Sequence, residues 1–153
     1  MATSVLSHQH ALAGDGRALT RVLKQAGLTR DSIVRVTGSA GPTAALWLNR
    51  HGYDNAAYVH PNWVAANAAA DALLIPQACG AEELVDLLHD GDCVRDGGVL
   101  ILQAAPDRFS KGYDSLHAVL RPLGYRMEKH ISDRGLDIHI ARRSGADRVG
   151  NAA

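Results

Sequence analysis

The chain has 153 residues, 46% of them apolar, and Lys+Arg and Asp+Glu both total 16. That length suits one domain, and the apolar share can fill a core without disulfide or metal staples. A net charge of zero provides no bulk field for nucleic acid or an anionic membrane, so neither is an expected partner. No apolar run approaches the roughly 20 residues of a membrane helix. The N-terminus lacks the basic-then-apolar pattern of a secretory signal, so the expected location is cytoplasmic. Cys79 and Cys93 match no zinc spacing and read as buried thiols.

Residues 1–14 and 144–153 are weakly patterned and predict flexible termini around one domain spanning 15–143. Ala18, Leu19, Val22, Leu23 and Ala26 recur at helical spacing, predicting a helix over 15–26 with Asp15 as cap and Gly27 as stop. Ile33-Val34-Arg35-Val36-Thr37 predicts a strand. The turn Gly38-Ser39-Ala40-Gly41 follows, and Pro42 opens a helix that Gly52 ends. Strand, glycine turn and helix in succession form the opening unit of a nucleotide-binding α/β sheet.

A second strand is expected over 56–60, then a short helix over 62–70 after Pro61. A third strand is expected over 72–75, ended by Pro76, and a helix over 81–89. Val99-Leu100-Ile101-Leu102 is a continuous apolar run, as in a strand buried on both faces of a parallel sheet. After a helix over 112–120, residues 125–131 and 136–142 predict an antiparallel hairpin across Ser132-Asp133-Arg134-Gly135. The expected fold class is α/β: a doubly wound, mostly parallel sheet of about six strands with a C-terminal antiparallel hairpin.

Three stretches carry a family resemblance. Asp71-Ala72-Leu73-Leu74-Ile75, Val94-Arg95-Asp96-Gly97-Gly98-Val99-Leu100 and Leu120-Arg121-Pro122-Leu123-Gly124-Tyr125 occur in the order and spacing of three architectural segments of the class I S-adenosylmethionine-dependent methyltransferases. The chain resembles that family from about residue 16 to 143. The resemblance implies S-adenosylmethionine as cofactor and a small molecule or a protein as substrate. The cofactor contacts it implies are Thr37, Gly38, Ser39 and Gly41 at the turn, Tyr58 or His60 at the ribose, and Gln77 beyond the third strand.

The same comparison exposes departures. Arg35 stands where the family has an acid, and Thr37 and Ser39 replace glycines. Neither Tyr58 nor His60 is the acid expected at the ribose, and one strand–helix unit after the second strand is absent. Pro76-Gln77-Ala78-Cys79 lacks the Asp/Asn-Pro-Pro-aromatic motif of amine methylation. No catalytic residue can be named; methyl transfer itself needs mainly positioning, because the sulfonium is already an activated donor. The alternative is a non-catalytic protein of this fold, serving as a binding or oligomerisation module. A side chain such as Arg35 or Trp47 filling the crevice would favour it.

Trp63 could stack on a base or pack in the core. His8 and His10 fall in the N-terminal tail. His130 and His139 fall on the hairpin, where the turn could bring them near each other, but without a nearby carboxylate or third ligand in the pattern no metal is expected. The last strand alternates Leu136, Ile138 and Ile140 with Asp137, His139 and Ala141. Its polar face is expected to be exposed or to meet a second subunit in a homodimer.

Overall fold

The computed structural model describes residues 16–61, 70–88, 93–104, 113–133 and 136–144. The expected tails up to residue 15 and beyond 144, the helix over 62–70 with Trp63, and the hairpin tip at Arg134-Gly135 lie outside the described residues. The elements in chain order are α1 (Gly16–Gln25), β1 (Val34–Val36), α2 (Gly41–Arg50), β2 (Ala56–Tyr58), β3 (Ala72–Cys79) and α3 (Ala81–Leu88). They continue with β4 (Val99–Ala104), α4 (Tyr113–Leu120), a 3-10 turn (Arg121–Leu123), β5 (Tyr125–Asp133) and β6 (Leu136–Arg143).

The strands form one six-stranded sheet in the order β2-β1-β3-β4-β6-β5. The first four are parallel, and β6 then runs antiparallel between β4 and β5. Continuous apolar runs in β3 and β4 supply both faces of the sheet, as burial on two sides requires. Leu74 and Ile101 pack with Leu19, Leu23 and Leu48 under α1 and α2. Leu73, Leu100 and Leu102 pack with Leu84, Leu116 and Leu120 under α3 and α4. Cys93 is a buried thiol in this second layer, its sulfur 3.7 Å from the carbonyl oxygen of Leu87.

Asp71 ties together the entry ends of the three inner parallel strands. Its Oδ2 accepts the Ile33 N–H at 2.7 Å and its Oδ1 accepts Arg95 Nε–H at 2.6 Å. Its own amide donates to Ile33 O, and its carbonyl accepts the Val99 N–H. The far edge is fixed differently: Arg142 Nη1 donates to Gly97 O and pairs with Glu128. The buried Arg143 donates from Nη1 to Val94 O.

Two sequence expectations change. Pro76 does not end β3, which runs to Cys79. Ile75 pairs with Leu102 and Ala78 with Gln103, so the ladder shifts register around Pro76 and Gln77. Proline has no N–H to give the ladder, and a bulge accommodates it. The polar face of β6 is also only partly open to solvent: His139 and Ala141 are buried, with α4 over the Ala141 side, while Asp137 stays 33% exposed.

The hydrogen bonds from Arg95 and Ile33 hold the Asp71 carboxyl below the ordinary carboxylate range. Its contribution is therefore complete above about pH 4, where the unfolded carboxylate is ionised, and is lost as pH falls through the lowered folded value. Arg95 is half-exposed, so the contribution is modest. Asp71→Asn should reduce stability by about 1 kcal/mol at pH 7. Urea unfolding at several pH values should show the gap to wild type closing as acid removes the wild-type charge.

Candidate functional site

The site to examine follows from topology. β1 connects onward to β2 on one side and its other neighbour, β3, connects onward to β4 on the opposite side, so the connections diverge at the C-terminal ends of β1 and β3. Such a switch point opens a crevice in α/β sheets. Here the strand ends are held on both sides: Val59 N–H donates to Val36 O at 2.8 Å, and Thr37 N–H donates to Leu74 O at 3.0 Å. The turn 38–40 then leads into α2, with Pro42 in its first turn.

Gly38 takes a positive φ of 96°, a conformation that disfavours a side chain. The space beside it is filled from within the chain. A Cβ on Gly38 would lie 1.9 Å from Gln77 Nε2, so the Gln77 amide rests on the glycine. Gln77 Oε1 also accepts the Ala40 N–H at 3.3 Å, a weak bond by length. On the other flank, a Cβ on Gly41 would come 2.7 Å from Tyr58 Cδ1, so the tyrosine ring edge lies over that glycine. Tyr58 itself remains 40% exposed.

Thr37 is fully buried, and its Oγ1 has no hydrogen-bond partner. Ser39 and His60 are exposed. Arg35 turns away from the crevice: its Nη1 donates to Asn55 O at 3.0 Å, at the opposite end of β2. Trp47 is also elsewhere, stacked on His51 with ring centroids 3.7 Å apart and lying over Gly16. Thus Gln77 and Tyr58, and neither Arg35 nor Trp47, cover the glycine turn. Residues 62–69 and 105–112, which flank this end of the sheet in sequence, lie outside the described residues.

Solved structures share this arrangement of strands. The magnesium protoporphyrin IX methyltransferase of Synechocystis PCC 6803, crystallised with bound SAH, matches over 86% of this chain and 83% of its own. The TM-score is 0.58 and the identity 12%. The ribosomal protein L11 methylase of Lactobacillus delbrueckii subsp. bulgaricus matches over 86% and 80%, with a TM-score of 0.63 and 11% identity. A putative sarcosine dimethylglycine methyltransferase of Galdieria sulphuraria matches over 84% and 85%, with a TM-score of 0.56 and 10% identity. The chain has the fold of the S-adenosylmethionine-dependent methyltransferases. No family profile and no curated protein sequence matches it. Among the described residues, no helix of this methyltransferase-like fold is long and apolar enough to cross a membrane.

Gly38 and Gln77, and Gly41 and Tyr58, lie against each other at this end of the sheet. The sequence does not reveal these contacts. Pro76 was the available signal: a proline inside a central strand implies a bulge, and a bulge re-aims the next side chain. A second cluster was only half-visible in the sequence. His130 and His139 pair across the hairpin, as expected, and Asp137 joins them because it shares a strand face with His139. Burial holds the His139 imidazole below its ordinary pKa, against the upward pull of Asp137.

The contact at Gly38 can be tested by substitution. Gly38→Ala should destabilise the protein by about 1–3 kcal/mol, from the positive φ together with the collision with Gln77. Adding Gln77→Ala removes the collision but leaves the backbone strain. Chemical denaturation of both single variants and the double variant should therefore show a non-additive recovery.

Proposed function

We propose that this chain uses the methyltransferase fold as a non-catalytic binding or oligomerisation module. One observation carries the reading: the Gln77 amide rests on Gly38 and takes the Ala40 N–H, so the turn's close backbone approach is used inside the chain. An S-adenosylmethionine site of this fold needs that approach free and needs groups to hold the ribose. Tyr58 lies over Gly41, His60 is exposed, and Arg35 points to the far end of β2. These residues do not fit the cofactor.

Among the described residues β5 lies at one edge of the sheet, which supports the oligomerisation half of this reading. β5 is an outer strand of nine residues, and an edge strand offers unpaired backbone groups to a second chain. Light scattering at micromolar protein should give the mass of a homodimer. A monomer mass would restrict the role to binding other partners.

A second reading is favoured by the looseness of the cover. The Gln77 bond to Ala40 is long, Tyr58 is partly exposed, and one neighbour of this fold holds SAH. On that reading Gln77 swings aside and S-adenosylmethionine binds, for transfer to a small molecule or a protein. Calorimetric titration with S-adenosylmethionine and S-adenosylhomocysteine separates the two. The non-catalytic reading predicts no binding up to millimolar ligand in wild type or in Gln77→Ala. Micromolar binding by wild type contradicts it. Binding gained only in Gln77→Ala would make the glutamine a gate over a surviving site.

A further inference from the structure

On the β5–β6 hairpin, away from the glycine turn, three potential ligand atoms converge. His130 and His139 are directly opposite in the antiparallel register. Their rings stack with centroids 4.4 Å apart and planes within 4°. Asp137 lies two residues before His139, on the same face of β6. Its Oδ2 is 3.4 Å from His139 Nε2, and its Oδ1 is in direct contact with His130 Nε2. Both imidazoles thus turn the same nitrogen toward one carboxylate, and the three ligand atoms lie within 4.8 Å of one another.

We propose that His130, Asp137 and His139 bind a divalent first-row transition cation of the Zn2+ type. The donor set is two neutral imidazoles and one carboxylate, which suits such cations. Ligands bound to one tetrahedral zinc at about 2.0–2.1 Å sit roughly 3.4 Å apart; the atoms here lie within 4.8 Å of one another, and the two parallel rings turn out of their stack for both nitrogen lone pairs to meet one ion. The backbone is already fixed on paired strands, so little ordering is left for binding to impose. The site is also approachable: His139 is buried at its base, while His130 and Asp137 are 42% and 33% exposed. The nearest lysine in sequence does not compete, because Lys129 sends its ammonium to Gln25 O at 2.9 Å. Arg142, on the same strand, is paired with Glu128. Three protein ligands leave a fourth position for water or for a group from a partner.

The ordinary alternative is an ion pair between Asp137 and the histidines, and titration with metal separates the two. Full-length, untagged protein, stripped with chelator, is titrated with Zn2+ by calorimetry and with Co2+ by visible absorption. One Zn2+ per chain at micromolar affinity is expected, with Co2+ bands characteristic of a site of low coordination number. His130→Ala and Asp137→Asn change half-exposed side chains and should still fold. Each should weaken Zn2+ binding by about tenfold or more. Zn2+ should raise the melting temperature of wild type and leave that of His130→Ala unchanged. No uptake by wild type, or equal uptake by wild type and both variants, would overturn the proposal; the second result would put the cation elsewhere on the chain.

Discussion

A proline inside a central parallel strand sets the character of this molecule. β3 is paired with β1 over Ala72–Leu74 and with β4 as far as Cys79, and Pro76, just past the end of the β1 ladder, has no amide hydrogen to give. The strand meets this constraint by shifting register between Ile75 and Ala78. Gln77 stands in that irregularity, and its side chain reaches across to Gly38 and Ala40. The opposite end of the same strand is anchored by Asp71, whose carboxylate and backbone fasten the entries of β1 and β4. One strand therefore holds the sheet together at one end and covers the switch point at the other.

This arrangement separates fold from chemistry. The methyltransferase-like architecture rests on apolar strands, two helix layers and backbone pairing. Thr37 illustrates the difference: its backbone N–H completes the pairing with Leu74, while its hydroxyl is buried without a hydrogen-bond partner. A buried hydroxyl in that state costs stability, which is tolerable in a core with this many apolar contacts.

The legible part of the sequence was the part governed by local rules. Apolar runs, glycine turns and helix periodicity located the described elements within a few residues, and the hairpin followed from the short link before Leu136. The end of β3 was missed because a proline normally terminates a strand, and only the continued pairing with β4 beyond the register shift carries it onward. The burial of His139 was missed for a related reason. Alternation in β6 suggested a polar, exposed face, but the stacked His130 ring lies on His139 and α4 covers Ala141, leaving only Asp137 partly exposed. In the same way, the residues of the glycine turn could be named from the sequence, while their contacts with Gln77 and Tyr58 depend on side-chain directions that only the folded sheet fixes.

The claim on which this account turns is that Gln77 closes the glycine turn. The most direct measurement is a nuclear Overhauser experiment on isotope-labelled protein, reading the side-chain amide protons of Gln77 against the α-protons of Gly38. The account predicts a strong contact between them and a slowed exchange of the Ala40 amide. Absence of that contact, with the Gln77 amide resonances at free-solvent positions, would mean that the turn stands open, and the non-catalytic reading would lose its support.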